Sequence, residues 1–403
     1  MIRFLGNLTT FTFLYACFAY VLALFASKFL LSSAMIGLIL ISFLNVEAKS
    51  FNQFFKRRDL LAITLLFGLV LITGLYSQNT GEWLNRVRIK LPFLLLPGVF
   101  FFLPSIRHRH YRLIFFWLLI VAVLFSCGVL FNFYNNHDEV LQAMHQGRSI
   151  PTPVNHIRFG LMIALAVTGG LALLLRKEKI IFKGEKLLIG LCTLGLFIGL
   201  HIMAIRSGIA TMYLGIAAII LMVLTEKKYR IPALVGILTL ISVPVLMYFL
   251  SNSFKEKVNY TIWQFQKGVE IPEEGTSDGN RIITYKAGWD IFTKNSLTGV
   301  GYGDIKDEMT DWYTVNEFVV GPKLPHNQFL TTLTGAGIIG GILFLLALLI
   351  PVILNWSRKN YILIGWLGVM LGSFLFDNTI ENSLGVGIFL FYLLLGIHEK
   401  HSE

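Results

Sequence analysis

The stretch "LIFFWLLIVAVLFSCGVLFNF", from Leu113 to Phe133, runs without a single charged side chain. A helix needs about 20 predominantly apolar residues to cross the hydrocarbon core of a bilayer, and this stretch supplies them. Comparable stretches lie on both sides of it: Leu8–Ala26, Phe29–Val46, Leu60–Tyr76 and Leu91–Leu103 before, and Ile157–Leu175, Leu187–Ile205, Ile209–Leu224, Ile231–Leu250, Phe329–Leu354, Tyr361–Phe376 and Leu384–Ile397 after. The fourth is short and holds Pro92 and Pro97, which predicts a kinked or incomplete crossing. The pattern predicts an all-α integral membrane protein with about 12 transmembrane helices.

Composition agrees. Hydrophobic residues make up 55% of the 403 positions and charged residues 14%, too little polar surface to cover a soluble protein of this size. A net charge of +11 suits nucleic acid only when the cations gather on one soluble face, and here they are scattered between the apolar stretches, so no nucleic-acid partner is expected. Cys17, Cys127 and Cys192 all lie inside apolar stretches, with neither pairing nor metal-ligand spacing. Leu8–Ala26 follows Arg3 and ends in small residues, as a signal peptide would, but the many spans after it favour a retained first helix.

Orientation follows from the short loops, since Lys and Arg near span ends are kept in the cytoplasm. Every second loop is basic: Lys49, Lys56, Arg57 and Arg58; Arg107, Arg109 and Arg112; Arg176, Lys177, Lys179, Lys183 and Lys186; Lys227, Lys228 and Arg230; Arg358 and Lys359. Both termini are then cytoplasmic. The chain divides into spans 1–9 (residues 1–250), an outer loop region (251–325) and spans 10–12 (326–403), which together form one membrane-embedded unit. The large, partly helical loop between spans 9 and 10 is the place to look for function. It offers an amphipathic helix around Val258–Gly268, the connector "IPEEGTSDGN", and a helix beginning at Arg281. Asp278 or Asn280 would cap that second helix, and Ile282, Tyr285, Trp289 and Phe292 make one apolar face of it.

Cations on the outer side run against the orientation rule and ask for an anion. Arg206, in "AIRSGIATMYLG", stands at the outer end of the seventh span, Arg281 opens the loop helix, and His326, in "PKLPHNQFL", stands where the chain re-enters the membrane. For Arg206 two readings carry equal weight: snorkelling to headgroups or a carbonyl, and holding a ligand. Histidine at a helix start is more often structural, yet an ordinary pKa of about 6.5 suits a general base. Two guanidinium forks clamp a phosphate or diphosphate and stabilise a leaving group that gains charge, so a base beside them points to group transfer from a phosphate-linked donor. "LTGVGYGD" lacks the strand, loop and helix frame of a nucleotide site; Gly299, Gly301 and Gly303 instead permit a tight backbone path, and "GAGIIGG" at Gly335–Gly341 permits close helix packing.

The stretches "GNRIITYKAGWDIFTKNSLTGVGYGD" and "PHNQFLTTLTGAGIIGG", with "RSG" upstream, resemble the shared core of the bacterial O-antigen ligases and polymerases, membrane glycosyltransferases that use undecaprenyl-diphosphate glycans. The resemblance implies a multi-pass protein of the bacterial inner membrane with its active site facing the periplasm and its loop region between helices 9 and 10. It implies an undecaprenyl-diphosphate-linked glycan as donor, lipid A-core or another glycan as acceptor, and neither nucleotide nor metal nor any other cofactor. Carried over by motif, His326 activates the acceptor hydroxyl, which inverts the anomeric carbon, while Arg206 and Arg281 hold the diphosphate. The first outer loop, Ala26 to Phe29, has no acidic residue, unlike metal-dependent oligosaccharyltransferases. Secondary candidates for the diphosphate are Arg86 and Arg88, with interfacial anchoring as the alternative, and His156 and Arg158, with helix-end capping as the alternative. Asp304, Asp307 and Asp311 read as solvated loop charges, and a catalytic aspartate would fit a related class of cell-wall transferases. The alternatives within the family are a polysaccharide polymerase or a protein O-oligosaccharyltransferase. From another class a transporter stands, which would place ionisable groups or broken helices near the membrane midplane.

Overall fold

The computed structural model describes residues 2–43, 48–103, 108–145, 148–176, 182–268, 277–318, 321–356 and 360–398. Of the cations used above for orientation, Arg107, Lys177, Lys179, Arg358 and Lys359 lie outside these, as does most of the "IPEEGTSDGN" connector. The helices are α1 (Ile2–Ala26), α2 (Lys28–Phe43), α3 (Ala48–Phe54), α4 (Arg58–Thr73), α5 (Thr80–Lys90), α6 (Pro92–Phe102), α7 (His108–Asn135), α8 (His137–His145) and α9 (His156–Leu175). They continue with α10 (Glu185–Ile202), α11 (Arg206–Leu224), α12 (Arg230–Leu250), α13 (Asn252–Gly268), α14 (Ser277–Lys294), α15 (Ile305–Val315), α16 (Gln328–Leu354), α17 (Tyr361–Phe376) and α18 (Ser383–His398).

Among the described residues, each apolar stretch read from the sequence is helical over most of its length. Six helices among the described residues are long and apolar enough to cross a membrane: Arg109–Asn135, His156–Leu175, Glu185–Ile202, Arg206–Leu224, Lys227–Leu250 and Gln328–Leu354. Thr10–Ala26, Lys28–Phe43, Tyr361–Phe376 and Ser383–His398 are apolar but shorter. With this composition, the chain is a multi-pass membrane protein.

The middle of the bundle is α9, α11, α17 and α18. Nearly every residue of α9 and α18 is buried, whereas α12 buries only Ala233 and Met247 and turns its apolar surface outward. Close approach needs small residues: a Cβ on Gly208 of α11 would come within 2.8 Å of the Gly160 Cα in α9, so these helices meet backbone to backbone. At the end of the bundle where α10 begins, Arg112 is not a solvated cation. It is buried against Glu185, with Nη2 to Oε1 at 2.7 Å. A buried charge persists only when paired.

The opposite end carries the cap: α13, α14 and α15 from the long loop, with α5 beside them. The first helix of the cap starts at Asn252 rather than near Val258, and α14 starts at Ser277, so Asp278 and Asn280 lie inside it. The expected apolar face of α14 holds in part, with Phe292 buried and Tyr285 half-buried. Ile282 and Trp289 are exposed, while Ile283, Thr284, Ala287, Gly288 and Ile291 are buried. The small pair Ala287 and Gly288 lets α14 press on Pro325 and Leu330, and Ile282 and Trp289 are left outside.

Candidate active site

His326 lies in the segment entering α16, held through its backbone on two sides by α14. Its N–H donates to Thr284 Oγ1 (3.4 Å) and its carbonyl accepts from the Tyr285 hydroxyl (3.0 Å). Asn327 then caps α16 by accepting from Leu330 N at 3.0 Å. With the backbone fixed, the imidazole is 24% exposed and turns Nδ1 inward, 3.6 Å from Asp377 Oδ1. Asp377 ends α17, and its other oxygen accepts from Arg158 Nη1, near the start of α9. Burial pushes the Asp377 carboxyl up, but the Arg158 charge and the neighbouring His326 outweigh it and hold the group below its ordinary value. An ionised carboxylate therefore faces the imidazole.

The cations gather beside this pair. Arg206 does not end α10. The chain turns at Met203–Ile205, with Ala204 at φ 52°, and Arg206 opens α11. A cation at a helix N-terminus opposes the macrodipole, which makes the spot suited to an anion. Arg206 Nη1 donates to Thr261 Oγ1 of α13 (2.6 Å). Arg281 is one side chain away from His326, because Thr284 Oγ1 donates to the Arg281 carbonyl (2.8 Å) and receives His326 N–H. His156, first residue of α9, lies within electrostatic range of Lys257, Arg281, Asp377 and Arg206. The sequence reading missed Lys257 and Asp377 as members of this cluster. Lys257 is buried on α13 with its ammonium on the Arg148 carbonyl (2.5 Å). Its signal in the sequence was one position outside the amphipathic stretch assigned there.

Arg86 and Arg88 lie on α5, apart from that cluster. Arg86 is buried between Glu82 (2.8 Å) and Glu381 (3.6 Å), and Lys90 adds a contact to Glu381 at 2.8 Å. Arg88 is exposed and reaches Asn85 (3.3 Å). Gln328 closes the arrangement: its Nε2 donates to Glu381 (2.7 Å) and its Oε1 accepts Ile380 N–H (3.0 Å). Burial pushes the Glu381 carboxyl up, and Lys90 and Arg86 overcompensate, so it stays below its usual range. This lock ties residues 377–381 to the start of α16, and so fixes the distance between Asp377 and His326.

The glycine motifs meet each other. α16 is interrupted at Gly337 (φ 63°, ψ −163°), and the segment 296–301 fills the gap: Val300 N donates to Thr334 O (3.0 Å), Gly301 N to Gly335 O (2.9 Å) and Ile338 N to Ser296 O (2.8 Å). A Cβ on Gly299 would stand 2.4 Å from Ala336 N, which only glycine avoids. A transporter's broken helix lends its freed backbone groups to a solute, whereas here the chain's own backbone takes them. Asp304 is more than a solvated loop charge, since it accepts from Gln78 N (2.8 Å) and Asn79 N (2.7 Å) and so binds the α4–α5 turn to the cap. Asp307 likewise accepts from Asn79 Nδ2 (2.7 Å).

With this geometry in place, residues 191–345 match the family model described as O-Antigen ligase. No curated protein matches the chain. The matched stretch holds Arg206, Lys257, Arg281 and His326 with both glycine motifs, while His156, Arg158 and Asp377 come from outside it. From within α10 into α16, then, this multi-pass membrane protein is similar to the O-antigen ligase family over residues 191–345.

Proposed function

We propose that the chain is an inverting glycosyltransferase that moves a glycan from undecaprenyl diphosphate to an acceptor hydroxyl at the periplasmic face of the inner membrane, as an O-antigen ligase acting on lipid A-core. The observation that carries this reading is a histidine backed by an ionised carboxylate beside a cluster of cations. With Nδ1 turned toward Asp377, the imidazole carries its proton there and leaves the Nε2 lone pair for the acceptor. The acceptor O–H gives its proton to Nε2 while its oxygen attacks the anomeric carbon. The bond from that carbon to the diphosphate oxygen breaks, and the diphosphate leaves with the electron pair. Arg206 and Arg281 meet the charge that it gains, and Asp377 stabilises the imidazolium. No step needs a group that the chain does not supply. Arg158 and Arg86 act one layer back, since carboxylates already occupy them.

The test uses purified protein in lipid nanodiscs with undecaprenyl-diphosphate glycan and either lipid A-core or free glycan acceptors. A single addition to lipid A-core supports the ligase, a ladder on glycan makes it a polymerase, and transfer only to a protein hydroxyl makes it a protein glycosylase. His326→Ala is expected to lower transfer by about 10²- to 10⁴-fold with donor binding retained. Arg206→Ala and Arg281→Ala should weaken donor binding as well. Wild-type turnover by the His326 variant removes the general base from the mechanism.

A further inference from the structure

α17 stops at Phe376, so the Leu375 carbonyl lies in its last turn, where helix carbonyls lack a donor from their own helix. The His326 carbonyl stands ahead of the Asn327 cap of α16, outside that helix's ladder. Both carbonyls accept from one group, the Tyr285 hydroxyl of α14, at 3.0 Å for His326 and 3.1 Å for Leu375. Asn327 adds its Nδ2 to the Leu375 carbonyl at 3.2 Å. A single hydroxyl proton is thus shared between two oxygens, which works only while the two segments keep their separation.

Those two segments carry the base and its carboxylate. One carbonyl is that of His326 itself, and the other lies two residues before Asp377. The side chains stand 3.6 Å apart, Nδ1 to Oδ1, just beyond the ~3.2 Å reach of a good N–H···O bond. A small shift of either segment therefore decides whether the carboxylate grips the imidazole proton. A tyrosine at a membrane boundary ordinarily turns its hydroxyl to water or headgroups, whereas this half-buried one turns it onto backbone. Arg281 precedes Tyr285 by four residues, one turn along the same helix, and Thr284 between them joins the Arg281 carbonyl (2.8 Å) to the His326 N–H (3.4 Å). One rigid element thus bears both a cation for the leaving group and the clamp on the base.

Resting on the function proposed above, we infer that Tyr285 is a positioning residue for the transfer: its hydroxyl sets the separation and facing of His326 and Asp377 through the two backbone segments it joins. It acts on the base without touching either substrate. Its contribution belongs to the chemical step and not to donor binding, because geometry between reacting groups is felt in kcat.

Tyr285→Phe keeps the ring and its packing and deletes only the hydroxyl. In nanodiscs with undecaprenyl-diphosphate glycan and lipid A-core, kcat should fall about 10- to 100-fold, while donor KM, direct donor binding and the thermal midpoint stay near wild type. Combined with His326→Ala, the substitution should cost nothing further, because the hydroxyl acts through the imidazole. Combined with Arg206→Ala, the two losses should multiply. Wild-type kcat in Tyr285→Phe, donor binding or a thermal midpoint that falls in step with kcat, or the full further loss in the His326→Ala background overturns the inference. A second readout needs no transfer. In protein carrying isotope-labelled histidine, the His326 Nδ1 resonance, assigned by its disappearance in His326→Ala, should move in Tyr285→Phe toward its position in Asp377→Asn. In the Asp377→Asn background, Tyr285→Phe should leave it in place. An unmoved resonance, or the same movement in both backgrounds, also overturns the inference. A wild type that transfers to no acceptor, while the resonance moves as stated, counts against the transferase reading alone.

Discussion

Asp377 sits between a guanidinium and an imidazole, and each depends on its charge. Its carboxyl lies below the ordinary carboxylate range of about 3.9, so the stability it contributes is present above that value and is lost as pH falls through the lower folded one. Between pH 8 and 5 this contribution is constant. Asp377→Asn leaves Arg158 buried without its counter-ion, and should destabilise the protein by about 3–5 kcal/mol across that whole window. Unfolding in detergent measures it, and the gap to wild type should shrink only below about pH 4. A gap that closes by pH 6 contradicts the assignment. Arg206, Arg281 and His326 were legible in the sequence because each interrupts a rule, either a cation on the wrong side or a histidine at a re-entry point. Asp377 was not legible, because what gives it a role is the way α17 ends beside α9 and α16, and no local pattern records that.

At the scale of elements, the repair of α16 by the segment 296–301 is the most exacting fit in the cap. Gly337 holds a conformation essentially reserved for glycine, and a Cβ there would meet the Leu297 carbonyl at 2.3 Å. Gly337→Ala should therefore cost about 1–3 kcal/mol in strain and a further amount for displacing the segment. Gly184→Ala is the comparison, with φ +91° and nothing within 4 Å, so only strain of about 1–2 kcal/mol is expected. Thermal unfolding should rank Gly337→Ala clearly below Gly184→Ala, and parity would mean that the segment yields freely. The long apolar helices were legible because burial and lipid exposure both demand the same residues. The helices α3, α5, α8 and α15 were not, being short and largely polar. Ile282 and Trp289 on α14 were misread for a related reason: beside a membrane, a large apolar residue need not mark the packed side, and Thr284, Ala287 and Gly288 help to mark it here.

For the whole molecule, composition alone made the membrane class legible, while the orientation rests on the basic loops. Cysteine labelling tests it. In a chain with Cys17, Cys127 and Cys192 replaced, an impermeant maleimide added to intact cells should label Lys306→Cys and leave Lys228→Cys untouched until the membrane is opened. The reverse pattern inverts the topology and takes the site away from the periplasm. Division of the chain at residues 250 and 325 was drawn from hydropathy, and the bonds from Val300 and Gly301 to Thr334 and Gly335 cross the second of those limits. They also run from earlier to later in the chain. During synthesis the ribosome releases the plug before the socket, so α16 meets a waiting partner when it emerges. A polypeptide terminated ahead of Gln328 would keep those two amide groups with no carbonyl to receive them, which makes this seam a checkpoint that only a chain extended through α16 can pass.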